Sequence, residues 1–417
     1  MTVLKGNLIF GQSGGPTAVI NSSAAGVFEE ALKHPDIIGK VYGAPHGIVG
    51  ILNEDFYDIG QEDPEEIKLL QGTPSSLLGS VRYKLADPDA DDSDYKKILS
   101  VFRKYNIRYF LYNGGNDSMD TCDKVAKYLE KQNYDCRVIG VPKTIDNDLV
   151  GTDHCPGFGS AAKFVSTVTM EVFLDSRVYY DGMIIVIEIM GRHAGWLAAS
   201  SALAAHKGYG PDLIYLPESD FDLDHMMDDV SSILRRNKNV MIAVSEGVKT
   251  REGKFIPELV TEVQTDAFGH KQLGGTASVL CAYLADRFSM KTRAIELSLL
   301  QRCAAHLASG VDIEEAYQAG AEAVKAALAG ASDVMIGFRR KAGPYAIDIV
   351  TVPLEEVKNQ EKKVPRKWIN EDGNGLKQEY IDYALPLIQG EPRQVLEDGL
   401  PRFARFKKIQ AGRKQNS

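Results

Sequence analysis

The sequence predicts an α/β protein with two lobes, each built on a mostly parallel sheet, that face each other across a cleft. Short apolar runs are followed by Gly-rich turns and then by amphipathic stretches, the order typical of strands that alternate with helices. The chain has 417 residues, more than one domain usually holds. Hydrophobic residues make up 44% of it and charged residues 25%, which is the composition of a globular protein with sizeable cores.

The elements follow this alternation along the chain. We expect strands at residues 7–10, 107–112, 136–141, 183–189, 213–216 and 240–244. Helical spacing of apolar residues predicts helices near 20–31, 120–131 and 197–205. Ligands of open parallel sheets bind at the carboxyl ends of the strands, which is where the polar turns of this sequence fall.

Composition excludes several function classes. The net charge of −9 disfavours partners such as nucleic acid and anionic membranes. No apolar run reaches the ~18 to 20 residues of a transmembrane helix, and the first residues do not resemble a signal peptide. Five cysteines without a C-x-x-C pair indicate reduced thiols. We therefore expect a soluble cytoplasmic enzyme.

The turn GQSGGP at 11–16 admits three interpretations. Its backbone at Gly14 and Gly15, with a helix N-terminus beyond, could bind a phosphate. As G-x-S-x-G, it could place Ser13 at a nucleophile elbow. It could also be a plain tight turn. The pattern is too short to choose among them.

The turn NGGNDS at 113–118 places an amide and a carboxylate at a strand end. Asn116 and Asp117 carry oxygens that could ligate or orient Mg²⁺. The alternative is that these side chains only cap the next helix.

The segment PKTIDND at 142–148 concentrates charge in a short turn after a buried strand. Lys143 suits a phosphate as a point charge. Asp146 or Asp148 could accept the proton of a hydroxyl group, as a positioned aspartate does in phosphoryl transfer. A structural cluster of Asx turns is the alternative.

Two further turns add anion-binding and hydroxyl-binding candidates. MGRHAG at 190–195 places Arg192 beside glycines, whereas His193 alone is more typical of a structural histidine. Glu246, in SEG, could accept from a sugar hydroxyl or be a solvated carboxylate. We expect Arg293 and Arg302 on a helix and its continuation, where each alone would be a surface charge. Together the turns indicate phosphoryl transfer to a phosphorylated hydroxyl compound.

These motifs, in this order, resemble the phosphofructokinase family, and within it the pyrophosphate-dependent bacterial type. The resemblance covers roughly residues 5–330 and rests on SGG, GSVR (79–82), GGND (114–117), PKTIDND, MGR, SEG and TRAIELSLLQR (292–302). It implies two Rossmann-like three-layer lobes. Residues 1–155 plus about 301–345 would bind pyrophosphate and magnesium, and 156–300 plus part of the C-terminal region would bind fructose 6-phosphate. A basic tail, which we expect to be solvated, would run from about 400 to 417.

The resemblance also implies a role for individual residues. Asp146 matches the general base, and the catalytic group would further include Lys143, Asp117, Asp148 and Arg192. Fructose 6-phosphate contacts would fall at Thr144, Ile145, Met190, Gly191, Arg192, Glu246, Arg293 and Arg302. Pyrophosphate contacts would fall at Gly14, Gly15, Arg82 and Lys143, and Mg²⁺ at Asn116 and Asp117. Family members share sites between subunits, which implies a homodimer or homotetramer.

The phosphoryl donor is predicted from two positions. ATP-using members usually carry glycine where this chain has Asp117, and many carry glycine where it has Lys143, so the sequence favours pyrophosphate. Three residues depart from the family pattern: Asn116 replaces an aspartate, Met183 an arginine, and Leu299 a histidine or tyrosine. The alternatives are an ATP-dependent enzyme, a catalytically silent sugar-phosphate-binding regulatory subunit and, more distantly, a serine hydrolase built on Ser13.

Overall fold

Two separate sheets organise the residues that the computed structural model describes, 4–260 and 275–411. The strands are β1 (Gly6–Gln12), β2 (Ile38–Ala44), β3 (Tyr57–Asp58), β4 (Ile107–Gly114), β5 (Arg137–Pro142), β6 (Ile184–Ile189), β7 (Leu213–Tyr215), β8 (Val240–Ser245), β9 (Thr292–Glu296), β10 (Val334–Arg340), β11 (Ile347–Pro353), β12 (Leu396–Glu397) and β13 (Leu400–Pro401). The helices are α1 (Ile20–Leu32), α2 (Ile48–Leu52), α3 (Pro64–Leu69), α4 (Ser93–Lys104), α5 (Asn116–Lys131), α6 (Phe158–Ser176), α7 (Trp196–Ala199), α8 (Ala202–His206), α9 (Leu223–Leu234), α10 (Thr276–Phe288), α11 (Gly310–Leu328), α12 (Leu354–Val357) and α13 (Gln378–Ala384).

The larger sheet has seven strands in the order β11-β10-β5-β4-β1-β2-β3. Its central strands run parallel, and only the edge strands β3 and β11 are antiparallel to their neighbours. The smaller sheet has the order β7-β8-β6-β9 and is parallel throughout. The short β12–β13 hairpin stands apart from both. Two mostly parallel sheets with helices between their strands confirm the predicted fold class.

Helices cover both faces of the larger sheet, which explains why its strands are continuous apolar runs. Successive strand residues point to opposite faces. In β4, Leu111 packs with the apolar residues of α1 and α11, whereas Phe110 packs with those of α4 and α5. Helices α1 and α11 meet at glycine, because a Cβ on Gly26 would lie 2.0 Å from the carbonyl oxygen of Tyr317. The smaller sheet has the same layering.

The C-terminal region continues this second layering. In β6, Ile187 packs with α6, α7 and α8, and Tyr380 of α13 belongs to the same core. Val186, on the opposite face, packs with α9 and α10. The sequence predicts one helix over 197–205, whereas the structure has two short helices, α7 and α8, separated by Ser200 and Ser201. Within the described ranges, no helix combines the length and apolar character needed to cross a membrane.

The expectation of a solvated basic tail is wrong for residues 402–411. The backbone N–H groups of Lys407 and Lys408 donate to the carboxylate of Glu62 at 2.7 and 2.8 Å. Arg402 pairs with Glu66, and Ala404 is buried. The acidic partner of Lys407 lies 345 residues earlier in the chain, so no local pattern could indicate it. Residues 412–417 lie outside the described part.

Candidate active site

Turns from both sheets converge at one place, the carboxyl ends of their strands. The loops after β1, β4 and β5 belong to the larger sheet, and those after β6 and β8 to the smaller. The guanidinium of Arg302, which follows β9, comes within 3.0 Å of the position that a Cβ on Gly15 would take. Turns of the two sheets therefore meet at this point, and we call the region between them the cleft.

In the turn after β1, the backbone of Gly14 and Gly15 lies against two cationic side chains, Lys143 and Arg302. Lys143 is buried, and its Nζ donates to the carbonyl oxygen of Gly15 at 2.6 Å. The same Nζ lies 3.3 Å from where a Cβ on Gly14 would stand, and Gly14 has φ of 74°. A larger residue at either glycine would crowd these cations.

The nucleophile-elbow interpretation of this turn finds no support. Ser13 is buried, and its hydroxyl donates to the carbonyl oxygen of Val81 at 3.4 Å. The left-handed backbone conformation falls at Gly14 instead. Helix α1 begins only at Ile20, so residues 17–19 separate the turn from the helix N-terminus that the sequence suggested as a phosphate site.

The turn after β4 passes directly into α5. Gly115 is the N-cap residue and no side chain caps the helix, so the capping interpretation of Asn116 and Asp117 is wrong. Asn116 donates from Nδ2 to Asp148 Oδ2 at 3.3 Å. Its buried Oδ1 has no hydrogen-bond partner among the described residues. Asp117 lies exposed in the first helical turn.

The loop after β5 contains both catalytic candidates and a structural anchor. The backbone N–H of Asp146 donates to Thr144 Oγ1 at 3.1 Å. Between the two aspartates, Asn147 is buried with φ of 54°, and its Nδ2 donates to the hydroxyl of Tyr383 at 2.7 Å. The interpretation of PKTIDND as a structural cluster thus applies to Asn147. The carboxylates on either side of it, Asp146 and Asp148, remain the candidates for catalysis.

Burial and neighbouring charges perturb the ionisable groups of this loop. Burial raises the pKa of Asp146, and the carboxylates of Asp148 and Glu246 add to that effect, while Lys143 and Arg192 oppose it. Burial also raises the pKa of Asp148. Conversely, burial lowers the pKa of Lys143 to about 8. Strongly perturbed groups that share a cleft are typical of catalytic sites.

Arginines reinforce the lowered pKa of Lys143. The positive charges of Arg302 and of the exposed Arg82 lie close enough to act in the same direction as burial, while Asp146 opposes them. Three cationic side chains therefore gather beside Gly14 and Gly15, as a doubly or triply charged anion requires.

Turns of the smaller sheet complete the opposite wall. The N–H of Gly191 donates to Glu246 Oε1 at 3.4 Å, and the N–H of Met190 donates to Gln301 Oε1 at 3.2 Å. Burial raises the pKa of Glu246. Within the described ranges, the buried Nε of Arg192 has no hydrogen-bond partner.

Comparison with known proteins agrees with this geometry. Residues 7–296 match the family model described as Phosphofructokinase. The chain belongs to the phosphofructokinase family. A relative from Halomonas elongata, named pyrophosphate–fructose 6-phosphate 1-phosphotransferase, is 44% identical over 412 residues and is covered to 98%, as is this chain. A relative of the same name from Methylococcus capsulatus is 42% identical over 401 residues, with 95% of each chain covered.

A solved structure extends the likeness to the whole fold. The pyrophosphate-dependent phosphofructokinase from Nitrosospira multiformis superposes with a TM-score of 0.89 at 39% identity, covering 98% of each chain. The family resemblance noted in the sequence is therefore confirmed.

The two arginines carried over from the phosphofructokinase pattern occupy different places. They were expected on a helix and its continuation, which is wrong for Arg293. Arg293 lies exposed in β9, the edge strand of the smaller sheet, which pairs with β6 through backbone hydrogen bonds. Arg302 ends the 3₁₀ helix Ser298–Arg302 and is half-buried in the cleft. Ser298, with φ of 44°, marks the change of direction between them.

Other predicted residues have less prominent positions. The side chain of Ile145 packs in the core of the smaller sheet. Of the residues that depart from the family pattern, Met183 is buried in the same core and Leu299 is exposed. No group of three or more His, Cys, Asp or Glu side chains suited to a metal ion occurs among the described residues.

Sequence reasoning missed several residues that build the site. Gln301 orients Met190, and Asn147 anchors the loop of Asp146. Glu361 and Lys362 approach from a polar segment beyond the family match and contact turns from both sheets. Only Gln301 could have been suspected from the sequence, because it precedes Arg302. Glu361 and Lys362 could not, because residues 358–365 carry no motif.

Proposed function

We propose that the protein catalyses reversible phosphoryl transfer from pyrophosphate to the 1-hydroxyl of fructose 6-phosphate, giving fructose 1,6-bisphosphate and phosphate. One observation carries the proposal: the half-buried carboxylate of Asp146, with its raised pKa, stands between the cationic walls of the cleft. The names of relatives that match nearly the whole chain support the same substrates.

In this proposal Asp146 takes the proton from the 1-hydroxyl. A general base is most effective when its pKa lies near the operating pH, and burial moves Asp146 in that direction. Asp148 adds to the shift, while the Asn116 amide holds Asp148 in place at 3.3 Å. Proton transfer in the reverse reaction would use the same carboxyl group.

Pyrophosphate would occupy the glycine turn and its cations. Lys143, Arg82 and the backbone at Gly14 and Gly15 would neutralise and orient it, which is most of what phosphoryl transfer requires. The carboxylate of Asp117 would exclude a nucleotide from this space. ATP is therefore the less favoured donor.

Fructose 6-phosphate would bind against the smaller sheet. Arg192, whose buried Nε is free of hydrogen bonds within the described ranges, would meet a phosphate, and Glu246 would accept from a sugar hydroxyl. Thr144, Ile145, Met190, Gly191, Arg293 and Arg302 would supply the remaining contacts. Binding energy spent on the 6-phosphate would position the reacting hydroxyl.

The residues present fit a magnesium ion that is held largely by substrate phosphates. Mg²⁺ is usually bound through one or two carboxylates plus phosphate oxygens and water. Asn116 Oδ1, buried without a partner within the described ranges, and the exposed carboxylate of Asp117 would hold it. When bound, the ion neutralises charge on the transferring phosphoryl group.

The proposal extends to lobes, subunits and compartment. Residues 1–155 plus about 301–345 would form the pyrophosphate lobe, and 156–300 with part of the C-terminal region the sugar-phosphate lobe. A homodimer or homotetramer would bring Arg293, on its exposed edge strand, to a neighbouring subunit's site. All five cysteines are free thiols, in keeping with the cytoplasm.

A coupled assay tests the function directly. Formation of fructose 1,6-bisphosphate is measured with pyrophosphate, with ATP and with no donor, with Mg²⁺ and after chelation, and with Asp146→Asn as the matched inactive variant. We expect activity with pyrophosphate and Mg²⁺ alone. Activity with ATP and not with pyrophosphate would show that the protein is an ATP-dependent enzyme. Binding of fructose 6-phosphate without turnover by either donor would favour the regulatory subunit.

A further inference from the structure

A four-residue segment, 361–364, crosses the cleft and contacts turns from both sheets. We call it the bridging segment. It lies beyond the family match, which ends at 296. Each side of the bridging segment touches a loop that the proposed function uses, so its contacts bear directly on the geometry of the site.

On the side of the larger sheet, the bridging segment holds the loop that carries the general base. The backbone N–H of Lys362 donates to the carbonyl oxygen of Asp148 at 2.7 Å. Its ammonium donates to the carbonyl oxygens of Thr152 and Asp153 at 3.0 and 2.8 Å. One residue therefore binds three carbonyl groups within a six-residue stretch that begins two residues after Asp146.

On the side of the smaller sheet, the same segment holds the turn that carries Arg192. Glu361 Oε1 pairs with His193 Nδ1 at 3.0 Å. The carbonyl oxygen of Lys362 accepts from Trp196 Nε1 at 2.8 Å. Hydrogen bonds thus reach this turn from two consecutive residues.

A buried carboxylate adds a third link on this side. Glu218 Oε1 accepts from the N–H of Val364 at 3.0 Å and from the N–H of Gly195 at 2.8 Å. A Cβ on Gly195 would lie only 2.6 Å from Glu218 Oε2, so the turn must approach this carboxylate closely.

The bridging segment is anchored on both sides of the cleft. Before it, Lys358 pairs with the buried Asp123 of α5 at 2.6 Å. After it, the ring of Trp368 packs perpendicular to that of Trp196 at 6.0 Å. A chain tethered at both ends transmits the position of one lobe to the other.

We propose that the bridging segment fixes the Asp146 loop relative to the Arg192 turn, and that Lys362 is a positioning residue for the general base. The inference rests on the proposed function. Its physical reason is geometric: a base and a phosphate clamp on opposite walls act together only at a set distance, and a displacement of ~1 Å costs roughly 10²-fold in rate. Lys362 touches no reacting atom and acts through the carbonyl groups it binds.

The test removes the ammonium and keeps the backbone. Lys362→Met retains the N–H to Asp148 and much of the side-chain volume, but loses the bonds to Thr152 and Asp153. We expect kcat to fall roughly 10- to 100-fold. The apparent KM for pyrophosphate should change less than about twofold, because the glycine turn and Lys143 are untouched. Lys362→Arg should recover a large part of kcat.

Matched controls separate positioning from general destabilisation. Lys367→Met removes an exposed lysine just beyond the bridging segment and should leave kcat unchanged. Thermal unfolding is measured for every variant. If Lys362→Met is unstable, Glu361→Gln, which weakens the pair with His193 and removes one negative charge that acts on Asp148, should still lower kcat more than KM. A folded Lys362→Met variant with the kcat of Lys367→Met would overturn the inference.

The same measurements keep the two proposals distinct. If the unmodified protein shows no pyrophosphate-dependent activity, the proposed function fails. If it is active and a folded Lys362→Met variant matches it in kcat, only the positioning role fails.

Discussion

The ammonium of Lys143 donates a hydrogen bond of 2.6 Å to the carbonyl oxygen of Gly15, and so joins the loop after β5 to the turn after β1. The lysine is buried, and burial lowers its pKa to about 8. A buried cation that has a neutral carbonyl partner still has donors to offer an arriving anion. The bond therefore holds the lysine ready beside the turn where pyrophosphate is proposed to bind.

Replacement of the proposed base should separate binding from turnover. Asp146→Asn keeps the size of the side chain but cannot accept the proton, so turnover should fall by roughly 10² to 10⁴. Fructose 6-phosphate affinity, measured by calorimetry, should remain. Turnover near that of the unmodified protein would exclude Asp146 as the base.

The pH dependence of kcat/KM for pyrophosphate should be bell-shaped. On the acidic side the rate should fall as Asp146 takes up a proton, and because its pKa is raised this fall should occur well above the range of an ordinary aspartate. On the basic side the rate should fall through about pH 8, as Lys143 loses its charge.

Lys143→Arg provides the control for the basic side. The guanidinium stays charged, so the basic limb should move to higher pH while the acidic limb stays. A basic limb that does not move would assign it to another group.

Donor choice should depend on Asp117. A carboxylate ~4 Å from a nucleotide phosphate, at an effective dielectric constant of ~20, costs about 4 kcal/mol. Asp117→Gly should therefore gain ATP-dependent activity and lose pyrophosphate activity, and Asp117→Asn should show the share due to charge. Equal ATP affinity in Asp117→Gly and the unmodified protein, measured by binding, would place donor selection in other residues.

The two arginines should behave differently in mixed oligomers. Arg293 lies on an exposed edge strand, whereas Arg302 lies against Gly15 of its own chain. Arg293→Ala mixed with Asp146→Asn should recover activity, because one kind of site then has both residues intact. Arg302→Ala mixed with Asp146→Asn should recover none, since every site keeps one defect.

Single variants set the scale for that experiment. Loss of a charge-assisted hydrogen bond costs ~1.5–3 kcal/mol, so Arg293→Ala should raise KM for fructose 6-phosphate more than that for pyrophosphate. Mixed oligomers that exchange subunits but stay inactive with Arg293→Ala would argue against shared sites.

Stability should depend on the buried His154. Its ring bridges Asp153 at 2.9 Å and Glu315 at 2.7 Å. Burial works to lower the pKa of His154, but the hydrogen bonds to both carboxylates outweigh it, and the pKa is raised. The folded state thus holds the proton more tightly than the unfolded chain.

The sign of the effect follows from this linkage. The stabilisation is complete below the ordinary histidine pKa of ~6.5 and is lost as pH rises through the raised value. Chemical denaturation from pH 5 to 9 should show the unmodified protein's advantage over His154→Gln shrinking with pH. A pH-independent difference would mean that the pair contributes packing only.

The local sequence determined the strands and the turns that end them. Apolar runs followed by glycine-rich turns indicate βα units, and parallel strands place their carboxyl ends together, so the proximity of Lys143, Asp146 and Arg192 was predictable. The motif order also identified the family. Helical and strand periodicities are properties of neighbouring residues, which is why these features were readable in advance.

Tertiary packing alone decided the rest. Arg302 reaches Gly15 across 287 positions of chain because β9 and the 3₁₀ helix after it dock beside β6. Glu66 pairs with Arg402, and Glu62 binds the backbone N–H groups of Lys407 and Lys408, although the tail itself contains no acidic residue. Lys362 binds carbonyl groups, which every residue carries and no motif records. Contacts between distant segments depend on how the sheets and helices pack against one another. The spacing of residues along the chain does not report this packing.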